Sequence, residues 1–142
     1  MIDQVVRDAM VPEPTRLADH DTAQDAGQSL ADNPEVRAVL VCTDDGSFVG
    51  VITRKTLVRA VVAAGLDPRT TAVGGIAEQP YVTVDADMAL EDAFRLLEER
   101  DLERVPVLEG EELVGILSRG VIQRRLAEDE TADEPELAEP LA

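Results

Sequence analysis

Apolar and polar positions along the chain change period several times, and the same order of changes occurs twice. Leu90, Ala93, Phe94, Leu96 and Leu97 recur at helical spacing, while Glu91, Glu98 and Glu99 fall on the other side, so Ala89 to Arg100 is predicted as an amphipathic helix. Ala23 to Ala31 reads the same way. Each helix follows a short strand, around Thr15 to Leu17 and Tyr81 to Val84. Apolar runs at Ala38 to Cys42 and Val105 to Leu108 are predicted as strands, as are Phe48 to Ile52 and Leu113 to Leu117. Within each pair the connection is a polar turn containing Asp45-Gly46 or Glu109-Gly110, which are hairpin signals. A last helix follows in each half from Thr53 or Ser118, both favoured N-cap types, running to Ala64 and to Ala127. Gly65 and Asp67-Pro68 end the first of these.

Set against itself at an offset of 67, the chain pairs Thr15-Arg16-Leu17 with Val82-Thr83-Val84 and Thr22 to Ala26 with Ala89 to Ala93. Arg37 falls on Arg104 and Leu40 on Val107. With a two-residue deletion in the second turn, Val49-Gly50-Val51-Ile52-Thr53-Arg54 falls on Val114-Gly115-Ile116-Leu117-Ser118-Arg119. The chain is therefore a tandem repeat of one β-α-β-β-α unit, a mixed α/β (α+β) fold. The expected boundaries are 5–66 for the first domain, 67–72 for a linker, 73–127 for the second domain and 128–142 for a tail.

Composition narrows the function. A length of 142 residues with 44% hydrophobic positions supports an apolar core without disulfides, and 2% aromatics means a core of Val, Leu, Ile and Ala. Thirteen basic against thirty acidic residues, a net charge of −17, excludes sequence-independent binding of nucleic acid or anionic membranes. No apolar run approaches the roughly 20 residues of a membrane span. The N-terminal stretch carries Asp3, Arg7 and Asp8 and no signal-peptide core, so a cytoplasmic location is expected. The tail from Glu128 to Ala142, rich in Asp and Glu and without Lys or Arg, is read as disordered, either a simple solvated terminus or a dock for a basic partner.

The repeat resembles the CBS domain, and the chain a stand-alone CBS pair. The resemblance is carried by Val6-Arg7-Asp8-Ala9-Met10, Arg104-Val105-Pro106-Val107, Val49-Gly50-Val51-Ile52-Thr53 and Val114-Gly115-Ile116-Leu117-Ser118, and it covers Val5 to Ala127. It implies a pseudo-twofold pair with inter-domain clefts that hold adenosine-type nucleotides, and a homodimer; the amphipathic helices also call for a dimer, since Leu57, Val61, Ile122 and Leu126 lack cover in a monomer. It also implies a glycine, an apolar residue, any residue, Thr or Ser, two more, then Asp as the ligand motif. Gly50 with Thr53 and Gly115 with Ser118 keep its first part; the Asp, which takes the ribose hydroxyls, is replaced by Thr56 and Val121. Losing such an acceptor costs about 1 to 3 kcal/mol. Carried over position by position, the base would lie near Val82 and Val105 or their counterparts Thr15 and Ala38, with Arg104 before the strand.

Six of the thirteen basic residues follow the two turns: Arg54, Lys55 and Arg59, then Arg119, Arg124 and Arg125. Arg54 and Arg119, matched in the repeat, are the candidate phosphate ligands; the alternative is that these cations balance acidic helices. Arg37 and Arg104 are expected in ion pairs, Arg104 with Glu99 or Asp101. His20, between Asp19 and Asp21, is expected on a surface loop without a metal, and Cys42 in the core. No nucleophile elbow, P-loop or paired metal-ligand spacing is present. The expected function is thus non-catalytic, with no cofactor required: a regulatory module that binds an adenosine-type nucleotide or other phosphorylated ligand. The alternative is a ligand-free dimerising scaffold for a protein partner.

Overall fold

Side chains at the starts of two helices fix where the backbone turns into them. Thr22 precedes an Ala-rich amphipathic stretch and closes a reciprocal cap with Asp25: the Asp25 N–H donates to Thr22 Oγ1 at 3.2 Å and the Thr22 N–H to Asp25 Oδ2 at 3.1 Å. The structure, a computed structural model, describes residues 4–12, 14–79 and 82–132. In chain order these form α1 (Val6–Ala9), β1 (Val11–Pro12), β2 (Arg16–Ala18), α2 (Ala23–Asp32), β3 (Ala38–Cys42), β4 (Phe48–Thr53) and α3 (Arg54–Leu57). A π-type turn at Val58–Val62 and a 3-10 turn at Val73–Gly75 follow, then β5 (Val84–Asp85), α4 (Leu90–Arg100), β6 (Arg104–Glu109), β7 (Glu112–Ser118) and α5 (Arg119–Ala132).

The fold is mixed α/β with two small sheets, of order β2-β3-β4 and β1-β7-β6-β5. β2 runs parallel to β3 and β5 parallel to β6, each pair joined through the helix between them, and β3 runs antiparallel to β4. The two β-α-β-β-α copies thus recur as expected. The strands beginning each copy lie slightly later than the pattern predicts, at Arg16–Ala18 and Val84–Asp85. Tyr81, placed in the second of them, lies outside the described residues.

The residues divide into two units, and neither is a continuous half of the chain. One comprises 14–79 with 111–113; the other comprises 4–12, 82–110 and 114–132. The segment before each copy has therefore joined the other copy. In the first unit Val73 is fully buried with Ala26, Leu30, Val39, Val41 and Ile52. In the second, Val6 is fully buried with Leu90, Leu97, Val105, Val107, Leu117 and Ile122. The amphipathic pattern of α4 is borne out: Leu90, Ala93 and Leu97 are buried and Glu91, Glu98 and Glu99 are exposed.

Two helices depart from expectation. After Leu57 the backbone widens, with the Ala63 N–H bonding to the Val58 carbonyl and the Leu66 N–H to the Val61 carbonyl, five residues apart in each case. β-branched Val58, Val61 and Val62 are poor formers of a regular α-helix. α5 continues to Ala132, past the Ala127 where the apolar pattern stops and into the segment read as disordered. Ala and Glu propagate a helix on propensity alone once a packed turn has nucleated it. The rest of the acidic tail lies outside the described residues.

Candidate functional site

The two glycines of the repeated turn lie where another backbone crosses. In the first unit the segment after Gly75 runs beside β4: the Val51 N–H donates to the Glu78 carbonyl at 2.8 Å and the Glu78 N–H to the Val51 carbonyl at 2.9 Å. A Cβ on Gly50 would stand 2.7 Å from the Glu78 carbonyl oxygen. In the second unit Val11 pairs antiparallel with Ile116 and Pro12 with Gly115. A Cβ on Gly115 would stand 2.9 Å from the Val11 carbonyl oxygen and 2.5 Å from Met10 Sδ. Val11 and Glu78 are one repeat period apart, as are Val6 and Val73. Both glycines are required by close approach of a strand.

Beyond Gly50, Thr53 caps α3. The Thr56 N–H donates to Thr53 Oγ1 at 3.1 Å, the Thr53 N–H to Thr56 Oγ1 at 3.0 Å, and the two hydroxyls are 2.9 Å apart. Thr56 is 1% exposed, the one buried polar residue among those described. Its hydroxyl reaches Glu78 Oε1 at 2.6 Å, and Arg59 donates to Glu78 Oε2 at 2.5 Å. Hydrogen bonding from Thr56, then attraction from Arg59 and Lys55, holds the Glu78 carboxyl below the usual carboxylate range. An ionised carboxylate only accepts. Thr56 is therefore the donor to Glu78, and the Thr53 hydroxyl in turn donates to Thr56. The sequence reading placed no acid here, because Glu78 is far from Thr56 in the chain and its repeat equivalent is Val11. A shared-offset comparison of the segments preceding each copy was the one available signal, and it pairs unlike residues.

The model of the CBS domain family matches residues 6–63 and 73–128. The chain belongs to the CBS domain family, as a tandem pair. Hypoxic response protein 1 of Mycobacterium tuberculosis is 34% identical over 122 residues, covering 86% of this chain and 85% of that protein. A crystal structure of Hypoxic Response Protein I with two coordinated zinc ions aligns at a TM-score of 0.72 and 32% identity, covering 86% of this chain and 98% of the other. CBSX2 in complex with AMP aligns at a TM-score of 0.69 and 26% identity, covering 89% and 98%.

In this CBS pair the second copy is apolar where the first is polar. Val121 stands where Thr56 does; its side chain packs on the core and its N–H bonds to Ser118 Oγ at 3.3 Å. Val11, at the position of Glu78, is 59% exposed. Thus Gly115 and Ser118 keep the turn without any acid beside it. Of the positions expected near a base, Val105 is buried, Ala38 and Val82 are half-buried and Thr15 is exposed; Ala38 pairs with Thr53 across β3 and β4.

The two arginines expected to hold phosphate are engaged within the protein. Arg54 donates to the carbonyls of Leu30 at 2.7 Å and Val36 at 2.8 Å, with longer bonds to Asn33 and Pro34, so it closes the C-terminal end of α2. Arg119 binds Glu103 and lies 3.6 Å from Asp101. Asp101, expected to pair with Arg104, thus has Arg119 beside it, and Arg37 and Arg104 are exposed. Arg54 thus meets backbone carbonyls, and Arg119 meets acids just after α4.

Cys42 is 2% exposed and receives an N–H from Arg16 at 3.7 Å; burial pushes its thiol up, leaving it poorly nucleophilic. His20 is exposed on its loop, with Nε2 3.0 Å from Asp44 Oδ1, and that contact raises its pKa. Asp19, His20 and Asp44 bring ligand-type atoms within 4.8 Å of one another. The fold supplies this grouping, since Asp44 comes from the hairpin turn.

Proposed function

We propose that this CBS pair is a non-catalytic regulatory module that binds an adenosine-type nucleotide and signals by a change of conformation or oligomeric state. The observation that carries the reading is the first copy's Gly50 to Thr56 turn, where two ordered threonine hydroxyls and an ionised carboxylate, Glu78, converge on one place. The family relationship and the AMP-bound neighbour support it. The non-catalytic part of the reading is supported by Cys42, whose burial raises its thiol pKa, and by His20, which among the described residues is exposed beside Asp44. Composition favours the cytoplasm, and among the described residues no helix is long and apolar enough to cross a membrane.

Calorimetry and thermal unfolding with adenosine, AMP, ATP and GMP test the reading. A ligand at a hundred times its Kd adds about 2.7 kcal/mol of stability. Micromolar binding of an adenine nucleotide supports it; no heat and no shift with any of the four discards it.

A second reading, a dimerising scaffold for a protein partner, is favoured by Val58 and Val62, which are 60% and 72% exposed, with Leu66 at 48%. Of the residues first expected to need such cover, Val61 and Ile122 are buried, and Leu57 and Leu126 are half-buried against the cores of their units.

A further inference from the structure

We propose that Glu78 is the diol acceptor of the first copy, supplying from the segment between the copies the carboxylate that position 56 lacks, so that this site selects ligands with a vicinal diol, the ribonucleoside class. The assignment rests on the nucleotide-binding reading above and concerns how that site recognises sugar.

Three features of Glu78 suit the role. Its backbone is pinned by the two-way pairing with Val51, and the neighbouring Gln79 donates its Nε2 to the Val49 carbonyl at 2.7 Å. The carboxylate is thus presented by a strand-like segment. Its two oxygens each have one partner, Thr56 on Oε1 and Arg59 on Oε2, and a carboxylate oxygen has two lone pairs. One acceptor position on each oxygen remains for two adjacent hydroxyls, which bind a carboxylate in a bidentate fashion. Finally, the side chain is 42% exposed, so a ligand reaches it, while Thr56 behind it is buried and holds its orientation. The Thr56 hydrogen bond first, then Arg59 and Lys55, favour its charged form. In the second copy the same two places hold Val11 and Val121, so the diol preference belongs to one site of the two.

Calorimetric titration of the wild type with AMP, 2′-deoxy-AMP and 2′,3′-dideoxy-AMP reads the preference directly. AMP should bind about tenfold or more tightly than the dideoxy analogue, with the monodeoxy compound between them. In Glu78→Gln, which keeps the backbone pairing with Val51, AMP affinity should fall by about tenfold and the three ligands should converge. AMP binding to the wild type without discrimination overturns the assignment and leaves the nucleotide reading standing. Tighter AMP binding in Glu78→Gln overturns it too, identifying the carboxylate as an obstruction. No AMP binding to the wild type removes both. Since the deoxy series uses unaltered protein, the outcome does not depend on how well the variant folds.

Discussion

Val6 and Val73 stand one repeat period apart, and each is fully buried in the core of the copy that it does not precede. Each short leading segment is thereby a structural part of the opposite copy, anchored by one valine. Truncating either side chain removes about two methylene equivalents from a packed core, at about 2 kcal/mol. Val6→Ala and Val73→Ala are expected to lower urea midpoints by similar amounts. A negligible effect in Val73→Ala would show that the segment joins the first copy by its backbone alone.

Gly50→Ala places a methyl group against the Glu78 carbonyl, and neither the β4 backbone nor the paired segment yields without loss of the Val51 bonds. The expected cost is about 1 to 3 kcal/mol, with faster exchange at the Val51 and Glu78 amides. Gly115→Ala is relieved in part, because its nearest neighbour, Met10 Sδ, belongs to a flexible side chain, while the Val11 carbonyl oxygen at 2.9 Å still opposes the methyl group. Denaturant melts and amide exchange check the ranking; a larger loss in Gly115→Ala contradicts it.

Arg54 closes the carbonyl end of α2 through a planar fork that lysine does not reproduce. Arg54→Ala should destabilise the protein by about 1 to 2 kcal/mol, and Arg54→Lys should recover less than half of that. AMP and adenosine should lose affinity equally in Arg54→Ala if they lose any. A selective loss for AMP would return Arg54 to the phosphate role.

Two exposed groups give opposite pH dependences. Glu78 has a lowered folded pKa, so its contribution is present above the ordinary glutamate value of about 4.3 and is lost as pH falls through the folded value. His20 has a raised pKa, so its contribution is present below about 6.5 and is lost as pH rises through the folded value. Glu78→Gln should lower stability at neutral pH and flatten the acid limb of a stability profile, while His20→Gln should lower stability below about pH 6.5 and flatten the limb above it. Thermal midpoints measured across both limbs for the three proteins decide it.

Val58, Val62 and Leu66 are spaced by four residues and stay exposed. If a second copy covers them, light scattering should report a dimer at micromolar concentration and Val62→Asp should report a monomer without lowering the melting midpoint of the monomer itself. A wild type that is monomeric throughout removes this surface from the dimer question.

By itself the sequence determined the repeat, the order of elements within it and the inward faces of the helices and strands. These rest on local periodicity and turn chemistry, as with the buried Leu90, Ala93 and Leu97 or the capping Thr53. It also located the turn at Gly50 and Gly115, with the acid missing at Thr56 and Val121. Only the tertiary structure decided which copy each leading segment joins, because Val6 and Val73 are the same residue type one repeat apart and local pattern does not say which core takes each. Arg54 is a candidate phosphate ligand because its charge is visible in the sequence, whereas the carbonyls at Leu30 and Val36 that take it are brought together by the end of α2. Glu78 was invisible for the same reason. Its carboxylate reaches Thr56 through an antiparallel pairing between distant segments, and long-range pairing is set by packing and backbone hydrogen bonds that leave no local pattern in the chain.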